Sequence, residues 1–407
     1  MVPRFDTGVP PDVDLAGADF WRRPAGYRSD AFRRLRALES PLYFRDRAGG
    51  FHALVRHRHV VTASRTPDVF VSGTGVTTPR PPRWVRLAFG DSMVNLDDPR
   101  HARLRGMVAR SFGPRVVARI YDDVSRVASD IVDDVLARRP DDFVAAVASR
   151  LPFEVICAMM GIPERHRREV FEQIDHSTDR AGGLGFRLPG RNLRALARMQ
   201  HVVGRVARAR RRAPTGDLIS ALAAPGADGE RLGARELGSF FSLLLVAGVE
   251  TTRNAVAHGL HLLTAHPVQR DLLAGDFDRY ADGFVDEVVR HASPIIQFRR
   301  TVAADVDLDG HRLRAGDDVV LFYCSANRDE TVFADPDAFD ITRRPNPHVG
   351  FGGGGPHFCL GAALARQEMT VLFRELLTRL PAIRSTAEPV LVPSSFDNRV
   401  ARLPFTF

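Results

Sequence analysis

The residues with the most chemical potential lie in two stretches. Cys359 follows Phe351-Gly352-Gly353-Gly354-Gly355-Pro356-His357-Phe358 and precedes an amphipathic helical pattern over residues 360–380. This puts a thiol at the mouth of a helix, where the dipole and unpaired backbone N–H groups favour the thiolate and lower its pKa. Thiolate is the form that binds a metal, and the glycines would let the backbone approach a flat macrocycle where side chains would collide. The second stretch, Ala247-Gly248-Val249-Glu250-Thr251-Thr252, continues a run over 240–246 that is apolar on all sides, as in a fully buried helix. A carboxylate and two hydroxyls there are costly unless used or satisfied, and Glu250 with Thr251 could move a proton. Two plainer readings compete: a structural buried cysteine, and a threonine hydroxyl bonded back to the carbonyl four residues earlier. The first explains neither the glycines nor the helix start.

Around these lie cations with suggestive spacing. His101 and Arg105 in Asn95-Leu96-Asp97-Asp98-Pro99-Arg100-His101-Ala102-Arg103-Leu104-Arg105 are four apart, on one helix face. Arg299 and Arg300 are adjacent in a strand-like segment, and His357 stands two before the cysteine. Taken singly each reads as a solvated surface charge. Glu287-Val288-Val289-Arg290 can ion-pair locally at its three-residue spacing. A formal G-x-G-x-x-G at Gly350, Gly352 and Gly355 suggests a dinucleotide loop. It lacks the preceding strand, because Pro345 and Pro347 precede it, and a cysteine intervenes before the helix.

The elements that must position these groups follow from pattern. Helical periodicity dominates residues 100–291, punctuated by Pro152, Pro163, Pro267 and Pro294. Short strands follow over 295–322, with a hairpin at Val306-Asp307-Leu308-Asp309-Gly310-His311-Arg312-Leu313 turning at Asp-Gly. The Pro/Arg cluster 79–83 and the Gly-rich piece 182–190 read as loops rather than domain linkers. The class is mainly α with a minor β region, in one large domain spanning 1–407. No lysine occurs among the 57 basic residues of a chain with net charge +8, which excludes P-loop, Schiff-base and lysine-base chemistry. Arginine-only usage reads first as coding bias and second as a basic face for an acidic partner. The cysteines Cys157, Cys324 and Cys359 form no C-x-x-C or zinc spacing and fit a reducing compartment. The first 15 residues carry no signal-peptide core, and no apolar run is long enough to span a bilayer. A cytoplasmic, unanchored protein is expected.

The cysteine segment resembles the cysteine loop of the cytochrome P-450 superfamily, with one extra residue between Phe351 and Cys359. Glu287-x-x-Arg290 with Arg343 resembles that family's structural triad, and Ala247 to Thr252 its oxygen-activation stretch, with Glu where Asp is more frequent. The Asn95–Arg105 segment and Phe298-Arg299-Arg300-Thr301 resemble its propionate-binding regions. The resemblance implies a triangular single-domain fold around buried haem b, with Cys359 as the iron ligand. It implies Glu250 as proton relay and Thr251 as hydrogen-bond partner of the reacting oxygen. His101, Arg105, Arg300 and His357 are implied as propionate donors, with Arg299 an open alternative to Arg300. The implied activity is insertion of one atom of O2 into a hydrophobic small molecule. NAD(P)H electrons would arrive through a separate ferredoxin and ferredoxin reductase, with Arg105, Arg110 and Arg366 guiding the docking on a monomer. Recognition segments over 69–94, 171–196, Ile295-Ile296-Gln297 and Ser395-Phe396 are apolar or lightly polar. The stretches around Ala292-Ser293-Pro294, Tyr323-Cys324-Ser325 and Pro345-Asn346-Pro347 resemble an actinobacterial subgroup that hydroxylates methyl-branched lipids and steroid side chains. Tailoring of a polyketide, macrolide or terpene is the alternative. A haem sensor would have no need of the Glu250–Thr251 pair, a peroxide-driven enzyme would not keep Thr251, and the arginines over 205–212 read as a solvated helix face rather than a nucleic-acid site.

Overall fold

The computed structural model describes residues 9–38, 41–46, 49–78, 92–109, 114–165, 167, 201, 203–215, 217–224 and 232–407, with backbone alone for 114–120 and 234–235. The 79–83 and 182–190 loops, Arg110 and the 171–196 segment lie outside them.

Helices are the dominant regular structure of the described chain, as the periodicity predicts. They are α1 (Ala18–Arg22), α2 (Ala25–Arg36), α3 (His57–Arg65), α4 (Arg100–Ala109), α5 (Pro114–Arg138), α6 (Arg150–Met160) and α7 (Leu218–Ala223). After these come α8 (Ala234–Leu245), α9 (Thr251–Ala265), α10 (Pro267–Gly275), α11 (Phe277–Ala292), the short α12 (Tyr323–Ala326) and α13 (Ala362–Arg379). Helix α11 shows why they form. The Asp276 carboxylate accepts from the Arg279 N–H at its start, and Ser293 ends it in the left-handed region at φ 42°. Its stripe of Ala281, Phe284, Val285, Val288, Val289 and Ala292 is buried, the 3–4 spacing of a helix packed on one face. That face meets α9 and α13.

The strands gather at one side. One sheet has the order β1-β2-β7-β4-β3, made of Leu42–Phe44, Phe51–Leu54, Asp318–Phe322, Gln297–Val302 and Phe70–Val71. Its β2–β7 pair is parallel and the others antiparallel. The expected hairpin forms between β5 (Val306–Leu308) and β6 (His311–Leu313), turning through Asp309 at φ 52° and Gly310 at φ 81°. Small pairs β8 (Arg384–Ser385) with β11 (Phe405–Thr406), and β9 (Val390–Leu391) with β10 (Val400–Arg402), complete the sheet content. The largest apolar cluster joins α5, α6, α8, α9, α11 and α13; smaller ones seal α2 and α3 against the sheet. Among the described residues no helix is long and apolar enough to cross a membrane.

Strand alternation in β4 sets Arg299 and Arg300 on opposite faces. Side chains two apart share a face, so Phe298 and Arg300 point one way while Gln297, Arg299 and Thr301 point the other. Arg299 and Thr301 both bond the Asp318 carboxylate, at 2.5 and 2.7 Å. Ile296 and Gln297 are buried, Ile296 in the cluster with Phe51, Val320 and Phe322. Of the expected Ile295-Ile296-Gln297 recognition segment, only Ile295 stays half-buried.

Candidate functional site

The Cys359 loop is closed by its own backbone. Gly352 N donates to the Val349 carbonyl at 2.9 Å, Phe358 N to Gly355 at 3.2 Å, and Cys359 N to Phe351 at 2.9 Å. The side chain of Cys359 is exposed, just ahead of α13. Burial of the sulfur among surrounding protein atoms pushes its thiol up, against the lowering pull of the Gly361 N–H, Arg105 and Arg366. Desolvation here opposes the helix-terminus effect. A bound cation is what would ionise this sulfur.

Three of the four glycines permit a close approach to α3. A Cβ on Gly353 would come within 2.6 Å of Ser64 Oγ, and one on Gly355 would strike the Ser64 carbonyl. Gly354, at φ +88°, would put its Cβ 2.9 Å from Arg65 Nε. The glycines let the loop, lengthened by one residue, lie on the C-terminal turn of α3.

A buried network fixes this loop to the helical core. Glu287 and Arg290 have no exposed surface and pair at 2.7 and 2.8 Å, with Arg343 3.3 Å from the same carboxylate. The Asp340 N–H and the Asn346 amide also donate to Glu287, at 2.9 and 3.1 Å. Arg290 donates to the carbonyls of Asn327, Pro336 and Ala338. The Asn327 side chain in turn accepts from Val349 N at 2.7 Å, two residues before Phe351. The triad expected from sequence thus reaches the cysteine loop through Asn327.

The expected cations converge beside it. The His101 and His357 rings lie 4.1 Å apart at 31°. His101 is buried with Nδ1 3.6 Å from Asp98, and His357 Nε2 is 3.3 Å from Ser72 Oγ. Burial, then Arg300, His101 and Arg105, push His357 down to about 3. Arg300 is buried and donates to the Arg299 carbonyl at 2.8 Å; among the described residues it forms no ion pair. Arg299 is already neutralised by Asp318 and by Asp46 at 3.5 Å. Arg105 donates to the Phe358 carbonyl at 2.7 Å. A buried guanidinium and two imidazoles held neutral make a receptor for carboxylates, since an incoming anion would relieve every one of these penalties. A pocket of about 200 Å³ adjoins the two imidazoles, and its lining also includes Asp68, Asp97 and Asp98. Arg300, His101 and His357, with the Cys359 thiol nearby, fit a metal-centred macrocycle bearing carboxylates.

The acid and alcohol sit where α8 widens into a π turn, Val246–Glu250, before α9 resumes. Such turns cluster at functional positions. Val246 and Ala247 are exposed while Val249 and Glu250 are buried, so the apolar run is not buried on all sides. One face packs in the core and the other is an open apolar surface. The Thr251 hydroxyl donates back to the Ala247 carbonyl at 2.5 Å, the local bond that sequence held as the alternative to a relay. That bond uses the proton and leaves the oxygen lone pairs to accept from a proton-bearing group on the open side. Glu250 lies 3.3 Å from Arg253 Nη1 and 3.7 Å from Arg399 Nε. Sequence reasoning missed Arg253 and Arg399; the latter is brought in by the C-terminal strands, and no local spacing signals it.

The chain was compared with known proteins. The cytochrome P-450 family model matches residues 279–387. A methyl-branched lipid omega-hydroxylase of Mycobacterium tuberculosis is 43% identical, over 98% of this chain and 97% of its own length. A steroid C26-monooxygenase of Mycobacterium bovis is 34% identical, over 86% of this chain and 81% of its own. Among solved structures, a Mycobacterium marinum cytochrome P-450 in complex with pseudoionone superposes with a TM-score of 0.91 at 40% identity, covering 97% of this chain and 98% of that one.

Proposed function

Because this chain belongs to the cytochrome P-450 family, and is a monooxygenase that hydroxylates lipophilic substrates, we propose that it oxidises the terminal methyl of a methyl-branched chain, as carried by branched lipids and steroid side chains. The observation that carries the substrate reading is the 43% identity, sustained over 98% of the chain, to a methyl-branched lipid omega-hydroxylase. The open apolar face at Val246 and Ala247 supports a hydrophobic ligand.

We assign Cys359 as the iron ligand. Haem, when bound, supplies the reductive activation of O2 and the oxygen insertion, and a thiolate ligand favours O–O cleavage. The chain's own residues bind, orient and move protons. Arg300, His101 and His357 hold the propionates, with Arg105 beside them at the Phe358 carbonyl. Glu250 takes protons from the solvent side and Thr251 fixes the position of the group that receives them. The family works with separate redox partners; we assign that role to a small acidic ferredoxin, reduced from NAD(P)H by its reductase. Exposed Phe358 beside Arg105 supports docking on this face. Arg366 is paired with Asp286 at 2.8 Å, so it contributes less charge than expected.

The test is a titration of the holoenzyme with methyl-branched fatty acids and alcohols, cholestenone-type steroids and macrolides, read by the low-to-high-spin Soret shift. Branched chains are expected to shift the spin state at the lowest concentration, with the terminal alcohol as product. A macrolide that shifts it while branched chains do not would overturn the assignment in favour of natural-product tailoring.

A further inference from the structure

The Glu250 carboxylate is held from two sides, and the second side is the segment that leads into β10. Arg253 reaches it from the next turn of its own helix at 3.3 Å, and Arg399 at 3.7 Å. Arg399 is nearer to a second carboxylate. Its Nε and Nη2 lie 3.1 and 2.9 Å from the same oxygen of Asp397. All four side chains are buried.

The backbone of this segment is stitched to α9 turn by turn. Arg253 Nη2 donates to the Val400 carbonyl at 3.3 Å, and Val400 N donates to the Asn254 side chain at 3.2 Å. One turn further on, His258 Nε2 meets the Asn398 carbonyl at 3.0 Å. On its other edge, the Phe396 carbonyl accepts from Ile296 N at 2.8 Å, and the Phe396 ring packs on Phe298 at 5.6 Å. The ion pair is therefore anchored and cannot simply swing to follow Glu250.

We propose that Arg399 and Asp397 are positioning residues that set how readily Glu250 takes up a proton, Arg399 by holding the carboxylate ionised and Asp397 by drawing Arg399 away from it. The inference rests on the reading of Glu250 as the proton relay. An acid fixed by two full cations would stay ionised and relay poorly, because an opposite charge at this range favours the charged form. A guanidinium shared with Asp397 stabilises the Glu250 carboxylate less than an unshared one would, which makes a proton easier to gain. The charged groups facing Glu250 include Arg253 from α9, and Arg399 with Asp397 from the C-terminal segment. His258 faces the Asn398 carbonyl two turns away.

The two residues have opposite expected effects, which a merely structural role would not produce. Turnover of the reconstituted holoenzyme is measured against pH, with its solvent isotope effect and the fraction of reducing equivalents reaching product. Relay needs the protonated acid, so turnover falls as pH rises through its apparent pKa. Arg399→Gln is expected to move that fall up by about one pH unit, and Asp397→Asn to move it down by about as much. Arg399→Lys is expected to return it toward the parent profile. Each variant is first checked for an intact thiolate-type Soret band in its reduced CO complex. Should Arg399→Gln not fold, Asp397→Asn and Arg399→Lys carry the comparison. Shifts in the same direction, or none, overturn the proposal. If Glu250→Gln abolishes the pH-dependent fall while the other two leave it in place, the relay reading stands and only this proposal falls. If Glu250→Gln changes neither profile nor isotope effect, both fall.

Discussion

Replacing Glu368 by glutamine is expected to make the enzyme more stable, and increasingly so as pH rises. Glu368 is buried on α13, and desolvation alone pushes its carboxyl from 4.5 up to about 8. The folded protein keeps this proton up to about pH 8, while the unfolded chain loses it near 4.5. Within that window unfolding releases a proton, so stability falls with rising pH. Each unit of separation corresponds to about 1.4 kcal/mol, so this residue's destabilising effect grows by about 3 kcal/mol between pH 5.5 and 8. It is absent below the unfolded value and complete above the folded one. Glutamine removes the titration, though its amide brings donors of its own to satisfy. Comparing the two proteins at two pH values cancels that offset. The assay is urea unfolding of both holoproteins at pH 5.5 and 8. A stability difference that is the same at both pH values would refute the reasoning and place a compensating partner beside the carboxylate.

Two further substitutions probe how the cysteine loop is held. Glu287→Gln turns one carboxylate oxygen into a donor facing Arg290 Nε and the Asn346 amide, and strips the counter-charge from two guanidiniums. A loss of about 3–5 kcal/mol in urea unfolding is expected, as for broken buried pairs, with loss of the thiolate-type Soret band; parental stability would refute the role given to the network. Gly355→Ala imposes φ +74° on a side chain that would also strike the Ser64 carbonyl. The backbone strain costs about 1–3 kcal/mol and is expected to lower both the melting temperature and haem retention, whereas Gly352→Ala, which meets Phe358 at an ordinary 3.6 Å, keeps the strain and spares the contact with α3.

Local signals were legible because their physics is local. The Glu287–Arg290 pair is three residues apart on one helix, and the structure forms it at 2.7 Å. The Asp309-Gly310 turn needed positive φ twice and shows it. Arg299 and Arg300 could not be told apart until β4 had a partner. Only the register against β7, which sets Arg299 opposite Val320 and brings it to Asp318, reveals which guanidinium is already neutralised. Arg399 was beyond reach for a related reason, since its approach to Glu250 depends on how β9 and β10 return the chain onto α9.

Two sequence features leave their neighbour undetermined: the glycines of the cysteine loop, which suit close approach to a macrocycle, and the apolar run over 240–246, which suits a protein core. A missing Cβ records only that something lies close, and at Gly353 and Gly355 that something is Ser64 of α3. An apolar side chain likewise records only that water is unfavourable there. Leu245 meets that requirement inside the core, whereas Val246, one residue on, stands 44% exposed. Hydrophobic pattern cannot separate a surface packed by protein from one kept for an apolar ligand, because burial by either removes the same area from water. The π turn at Val246–Glu250 lies at the boundary between exposed Val246 and buried Glu250. It widens the helix where the open apolar face ends and the buried acid begins, so the residue that would manage protons stands directly beside the surface that would hold the substrate.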